Sequence, residues 1–159
     1  MDEDMNEYLL EAREELKRLE HIIYVSLKYT RTVDVIINAL NRMVSTYDLI
    51  IEAFLEKASE EGLIDSLPKS PALRGKKFAE LYADDELIQK NLKFYSSLRV
   101  ILNSTHRKRQ EFRRHVTLIV DMEKSTVEVD IDLLTNCERF IHQFLLYSRK
   151  IIDGYKEED

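Results

Sequence analysis

At 159 residues, 44% hydrophobic and 34% charged, with a formal net charge of −6, the chain has the length of one domain and the apolar content of one core. A single cysteine excludes an intrachain disulfide framework, and three Gly with two Pro exclude most of the punctuation that all-β folds and glycine-rich phosphate loops need. There is no charged-then-apolar leader and no apolar run near 18 residues, which predicts a cytoplasmic protein with no membrane association.

In chain order, Leu9, Ala12, Leu16, Leu19 and Ile23 recur at steps of three and four and predict a helix from about residue 3 to 28. Thr32 is a candidate cap for a second helix carrying Ile36, Leu40, Met43, Tyr47, Ile50, Phe54 and Ala58 on one face and ending at Gly62. Separate helices and one long helix kinked near Thr30 are both open, since neither Gly nor Pro forces a stop there. Residues 62–76 hold both prolines and two of the three glycines and predict a loop between a front helical hairpin, 3–61, and a back half, 77–154. The back half starts with a short helix at Phe78, followed by a long helix from about 85 marked by Leu87, Phe94, Leu98 and Ile101. Val127, Val129 and Ile131 then alternate with Glu128 and Asp130, the period-2 pattern of a small β-hairpin near 116–131. Asp132 is placed to cap a last helix with Leu134, Cys137, Ile141, Phe144, Ser148 and Ile151 on its buried face, ending near Gly154. The expected fold is an all-α bundle of four long helices plus a short one, with that hairpin, in a single domain over 1–159.

One stretch departs from the acidic background. "HRKRQEFRRH", residues 106–115, carries Arg107, Lys108, Arg109, Arg113 and Arg114 against Glu111 alone, between His106 and His115. Such a patch focuses anions, phosphate above all, even on an acidic protein. The same residues also suit a solvated helix end, where arginines favour the negative pole of the helix dipole. An imidazole exchanges a proton near neutral pH and a guanidinium stabilises an oxyanion, so Arg109 and His115 are the candidate catalytic pair. On a continuous helix, six positions subtend about 600°, which sets the two on different faces unless the chain bends between them. His106, Arg107, Lys108, Arg113 and Arg114 are the candidate phosphate contacts, positioning an RNA backbone without reading its bases.

"RQEFRRH", Arg109 to His115, resembles the motif of HEPN domains, an Arg and a His separated by four to six residues. The resemblance implies a compact helical bundle in which the motif follows a long helix and a further helix closes the fold. It also implies a homodimer that brings two motifs together and, in active members, metal-independent cleavage of RNA, often in toxin–antitoxin or antiviral settings. Other members are noncatalytic and act beside a partner such as a nucleotidyltransferase or antitoxin. Carried over, Arg109 would stabilise the scissile phosphate and His115 would serve as acid or base for attack by the neighbouring 2′-hydroxyl. Gln110 stands where the family commonly has Asn, Asp or His.

No cofactor and no metal is predicted. The Glu-x-x-His spacing of di-metal bundles is missed by "EHIIY", where Glu20 adjoins His21, and by "ERFIH", where Glu138 and His142 stand four apart; His21 and His142 read as packing or surface residues. Cys137 reads as core. The alternative function is a noncatalytic helical interaction module, in which the front hairpin, with Tyr24, Tyr29 and Tyr47 at an interface or a core edge, meets a second copy or a partner and the basic stretch docks an acidic protein.

Overall fold

The computed structural model describes residues 5–154. The expected first turn at residues 3 and 4 lies outside them. Asn6 caps α1 (Glu7–His21), its side-chain oxygen accepting from the amides of Tyr8 and Leu9 at 2.9 and 3.2 Å. The helix continues through a π-helical turn, Ile22–Ser26, and one closing turn, α2 (Leu27–Tyr29). Thr30 then leaves helical geometry, and Thr32 caps α3 (Val33–Glu60) by accepting from the Val35 amide at 3.3 Å, so front helices one and two are separate. The stripe Leu9, Ala12, Leu16, Leu19 and the stripe Ile36, Leu40, Met43, Tyr47, Ile50, Phe54, Ala58 are buried where α1 packs along α3.

The predicted loop is shorter than 62–76. Ser70 accepts from the Leu73 amide at 3.2 Å and Pro71 takes the first position of α4 (Pro71–Leu81), where its missing N–H costs nothing. The proline and glycine that suggested a loop therefore start a helix and sit inside it, and Phe78 stacks on Phe54 with ring centroids 4.4 Å apart. Asp85 caps α5 (Glu86–Leu102) through the Ile88 amide at 3.0 Å. The last helix, α6 (Ile131–Asp153), is capped by Asp130 rather than Asp132, its carboxylate accepting from the Leu133 amide at 2.8 Å, and ends on Gly154 in the left-handed conformation.

Between α5 and α6 lies a three-stranded antiparallel sheet, β1 (Thr105–Arg109), β2 (Thr117–Asp121) and β3 (Thr126–Val129), in that order. The fold is thus mainly helical with a small sheet, and the basic stretch is a strand and a loop, not a helix end. Register pairs His106 with Val120, Arg107 with Ile119, Lys108 with Leu118 and Arg109 with Thr117. Residues directly opposite share a face, so Leu118, Val120 and Val129 form the face that joins the core beside α3, and Arg107, Arg109, Asp121 and Glu128 stand on the other.

Tyr47 marks the centre of the bundle. It is fully buried, its hydroxyl donates to Asn91 Oδ1 at 2.7 Å, and its ring meets Phe94, Tyr95 and Phe144. Asn91 donates in turn to the Leu87 carbonyl at 2.9 Å, which keeps this buried polar pair satisfied. Tyr47 is therefore core, whereas Tyr24 and Tyr29 are exposed. Among the described residues no helix is long and apolar enough to cross a membrane.

Candidate nucleic-acid interface

The ten residues of the basic stretch separate into two environments. On β1, Arg107 makes a two-pronged contact with Asp121, Nε donating at 2.6 Å and an Nη at 2.8 Å, and Arg109 donates to Glu128 at 2.6 Å across the sheet. These pairs hold the Asp121 and Glu128 carboxyls below their ordinary values, chiefly through the guanidinium hydrogen bonds, and raise the two arginines. Ile119 is buried on this face between the paired ions. Lys108 pairs with Glu111 at 3.3 Å. His106 is half-buried with Nε2 2.8 Å from the Ile101 carbonyl oxygen, to which it donates, so it anchors the start of β1.

Residues 110–115 turn sharply, with Gln110 and Phe112 both in the left-handed region at φ 54° and 65°. Two contacts hold this turn against the start of α3. The Phe112 amide donates to the Arg31 carbonyl at 2.7 Å, and the Glu111 carboxylate accepts from the Val33 amide at 3.4 Å, placing the only acid of the stretch at the positive end of a long helix. The phenyl ring of Phe112 stays 78% exposed.

This docking brings Arg114 and His115 to a cleft of about 380 Å³ whose other walls are the end of the first helix and the start of α6. Lys28 and Arg31 enter from one side, Asp130, Asp132 and Thr135 from the other, and Ile23 and Leu27 form the floor. Arg31 spends one N–H on the Leu27 carbonyl, at 3.2 Å, and neither Lys28, Arg113 nor Arg114 has an ion-pair partner among the described residues. The cleft therefore collects three cations and an exposed imidazole beside two carboxylates, one of which, Asp130, is committed to its cap. The motif's Arg109 does not line it; of the arginines in the stretch, Arg114, a candidate phosphate contact, shares the cleft with His115. Lys28 and Arg31 carry no sequence signal of their own, lying about 80 residues from the motif, and the contacts of Phe112 with Arg31 and of Glu111 with Val33 unite them with it.

A larger and shallower groove of about 740 Å³ runs between α4 and α5, with Lys76, Lys93 and Arg99 on its rim. It contains no histidine and no carboxylate, and Arg99 is occupied by Tyr95, donating to its hydroxyl at 3.2 Å and lying over its ring.

Two further readings change or sharpen. Burial pushes the Cys137 thiol up to about 11, which keeps it protonated and unreactive at neutral pH. His142 is not an isolated surface residue: it and Glu138 meet Glu20 from α1, a grouping across helices that no spacing within one helix reveals. Burial, and then the neighbouring Glu20, raise the Glu138 carboxyl above its ordinary value.

No protein-family model, no curated protein and no solved structure matches the chain.

Proposed function

We propose that this protein is a HEPN-like RNA-binding protein that cleaves RNA without a metal ion, working as a homodimer. The observation that supports the reading is the cleft in which an exposed His115 stands with Arg114, Arg31 and Lys28. Three cations with no carboxylate partner make a seat for consecutive phosphates, with Arg113 on the approach. In this reading His115 takes the proton of the 2′-hydroxyl, the freed oxygen attacks phosphorus, and the 5′-oxygen departs with a proton from an acid, leaving a 2′,3′-cyclic phosphate. Arg109 reaches the scissile phosphate by exchanging Glu128 for it, and Arg107, Lys108 and His106 hold the strand that presents it.

The second reading is a noncatalytic interaction module, supported by the pairing of Arg109 with Glu128 and by the exposed ring of Phe112 beside the bases. There the basic loop docks an acidic partner, such as an antitoxin or a nucleotidyltransferase.

Cleavage of single-stranded RNA in excess EDTA separates the two. Wild type is expected to cleave, and His115→Ala and Arg109→Ala are each expected to lose at least about a hundredfold in rate, the one as a positioned acid–base group and the other as a donor to the developing phosphate charge. No cleavage by folded wild-type protein sinks the catalytic reading and leaves the docking module.

A further inference from the structure

We propose that Glu20, Glu138 and His142 bind one divalent first-row transition-metal ion, clasping the end of α1 to α6. One ligand atom from each of the three side chains lies within 4.8 Å of the other two. Glu138 and His142 stand four apart on α6 and so share a face, while Glu20 comes from the last turn of α1, which packs beside it. Glu138 is only 6% exposed, deep for a carboxylate. Among the described residues no Lys or Arg forms an ion pair with it or with Glu20, and its hydrogen-bond donor is the Tyr24 hydroxyl at a long 3.5 Å. Two carboxylates facing each other, one of them out of water, is an arrangement that carries a cost unless a proton or a cation lies between them.

The donor set selects the ion. One imidazole nitrogen and two carboxylate oxygens suit zinc and its first-row neighbours, whereas calcium takes six to eight oxygens. Bonds of about 2.1 Å in a tetrahedron set ligand atoms about 3.4 Å apart, so the present grouping closes on an ion with about 1 Å of side-chain motion. His142, exposed, and Glu20, half-buried, have the freedom to make it. Three protein ligands leave a fourth position to water, and the Tyr24 hydroxyl orients Glu138 from outside the coordination sphere.

The test is titration of the full chain with Zn2+ against a chromophoric chelator at neutral pH, with melting followed in parallel. Expected are one equivalent per chain and a melting temperature that rises with Zn2+ concentration. Glu138→Gln and His142→Ala should each weaken binding by more than the roughly 10–100-fold that loss of an outer-sphere partner costs, while His115→Ala and His21→Ala bind as wild type does. No saturable binding by wild type, or equal binding by His142→Ala, overturns the proposal. His142 is exposed, so its variant decides the matter even if Glu138→Gln fails to fold. The readout is metal binding, not cleavage, so it stands or falls apart from the RNA reading.

Discussion

The outer face of the sheet and the cleft beside it draw on the same ten-residue stretch, yet they hold their charges in opposite ways. Arg107 pairs with Asp121 on the neighbouring strand and Arg109 reaches over β2 to Glu128 on β3, so the densest part of the basic run is locally neutral. Arg114, beyond the turn, joins Lys28 and Arg31 from a distant part of the chain with no carboxylate paired to it. Sequence counts charges, but a field depends on which charges are already answered; the strand's three bases count for little and the loop's two for more.

The largest expected effect tests this contrast directly. Arg114→Gln should weaken binding of a short single-stranded RNA roughly five- to tenfold and lower the slope of log affinity against log salt by about 1, whereas Arg107→Gln should change neither appreciably. Equal losses in the two variants, measured by fluorescence anisotropy across a salt series, would dissolve the distinction between paired and unpaired bases.

A smaller effect concerns how the cleft is held. Glu111→Gln removes a negative charge from the positive end of α3 and should cost about 0.5 kcal/mol of stability in a denaturant melt. Arg114→Gln, remote from that helix end, should cost less, which separates the residue that builds the cleft from the one that uses it.

The smallest effect belongs to the sheet face. The Asp121 carboxyl is held below its ordinary value by Arg107, so their pairing contributes stability when Asp121 is ionised and loses it as pH falls through the lowered value. Arg107→Gln should therefore melt slightly lower than wild type at pH 7, with the gap closing as the buffer is taken well below pH 3.8, Asp121's ordinary value. A gap that persists in acid would mean that the arginine stem covering Ile119, and not the charge, carries the effect.

The helical part of the fold was legible because burial leaves a mark every three or four residues: the stripes on α1, α3 and α6 and the Thr32 cap are visible as letters. Two kinds of feature were not. β1 reads Thr-His-Arg-Lys-Arg, with no apolar residue to alternate, so its period is expressed only in partners, Arg107 and Arg109 to carboxylates and His106 toward the core. Pro71 and Gly75 looked like breakers, yet one is a helix-starting proline and the other a small residue lying against the Tyr95 ring. Of the candidate site, His115, Arg113 and Arg114 could be picked out by composition, but Lys28, Arg31 and the meeting of Glu20 with Glu138 and His142 exist only once helices are docked.

The amide of Phe112 bonded to the Arg31 carbonyl has a kinetic consequence. Because that bond and the Glu111 contact tie the loop to Arg31 itself and to the start of α3 just after it, Arg114 and Arg31 cannot drift apart independently, and a ligand meets a cleft whose ordering entropy was lost during folding. Association there is set by encounter and electrostatic steering rather than by waiting for a loop to close, and discrimination between ligands falls to how long each stays.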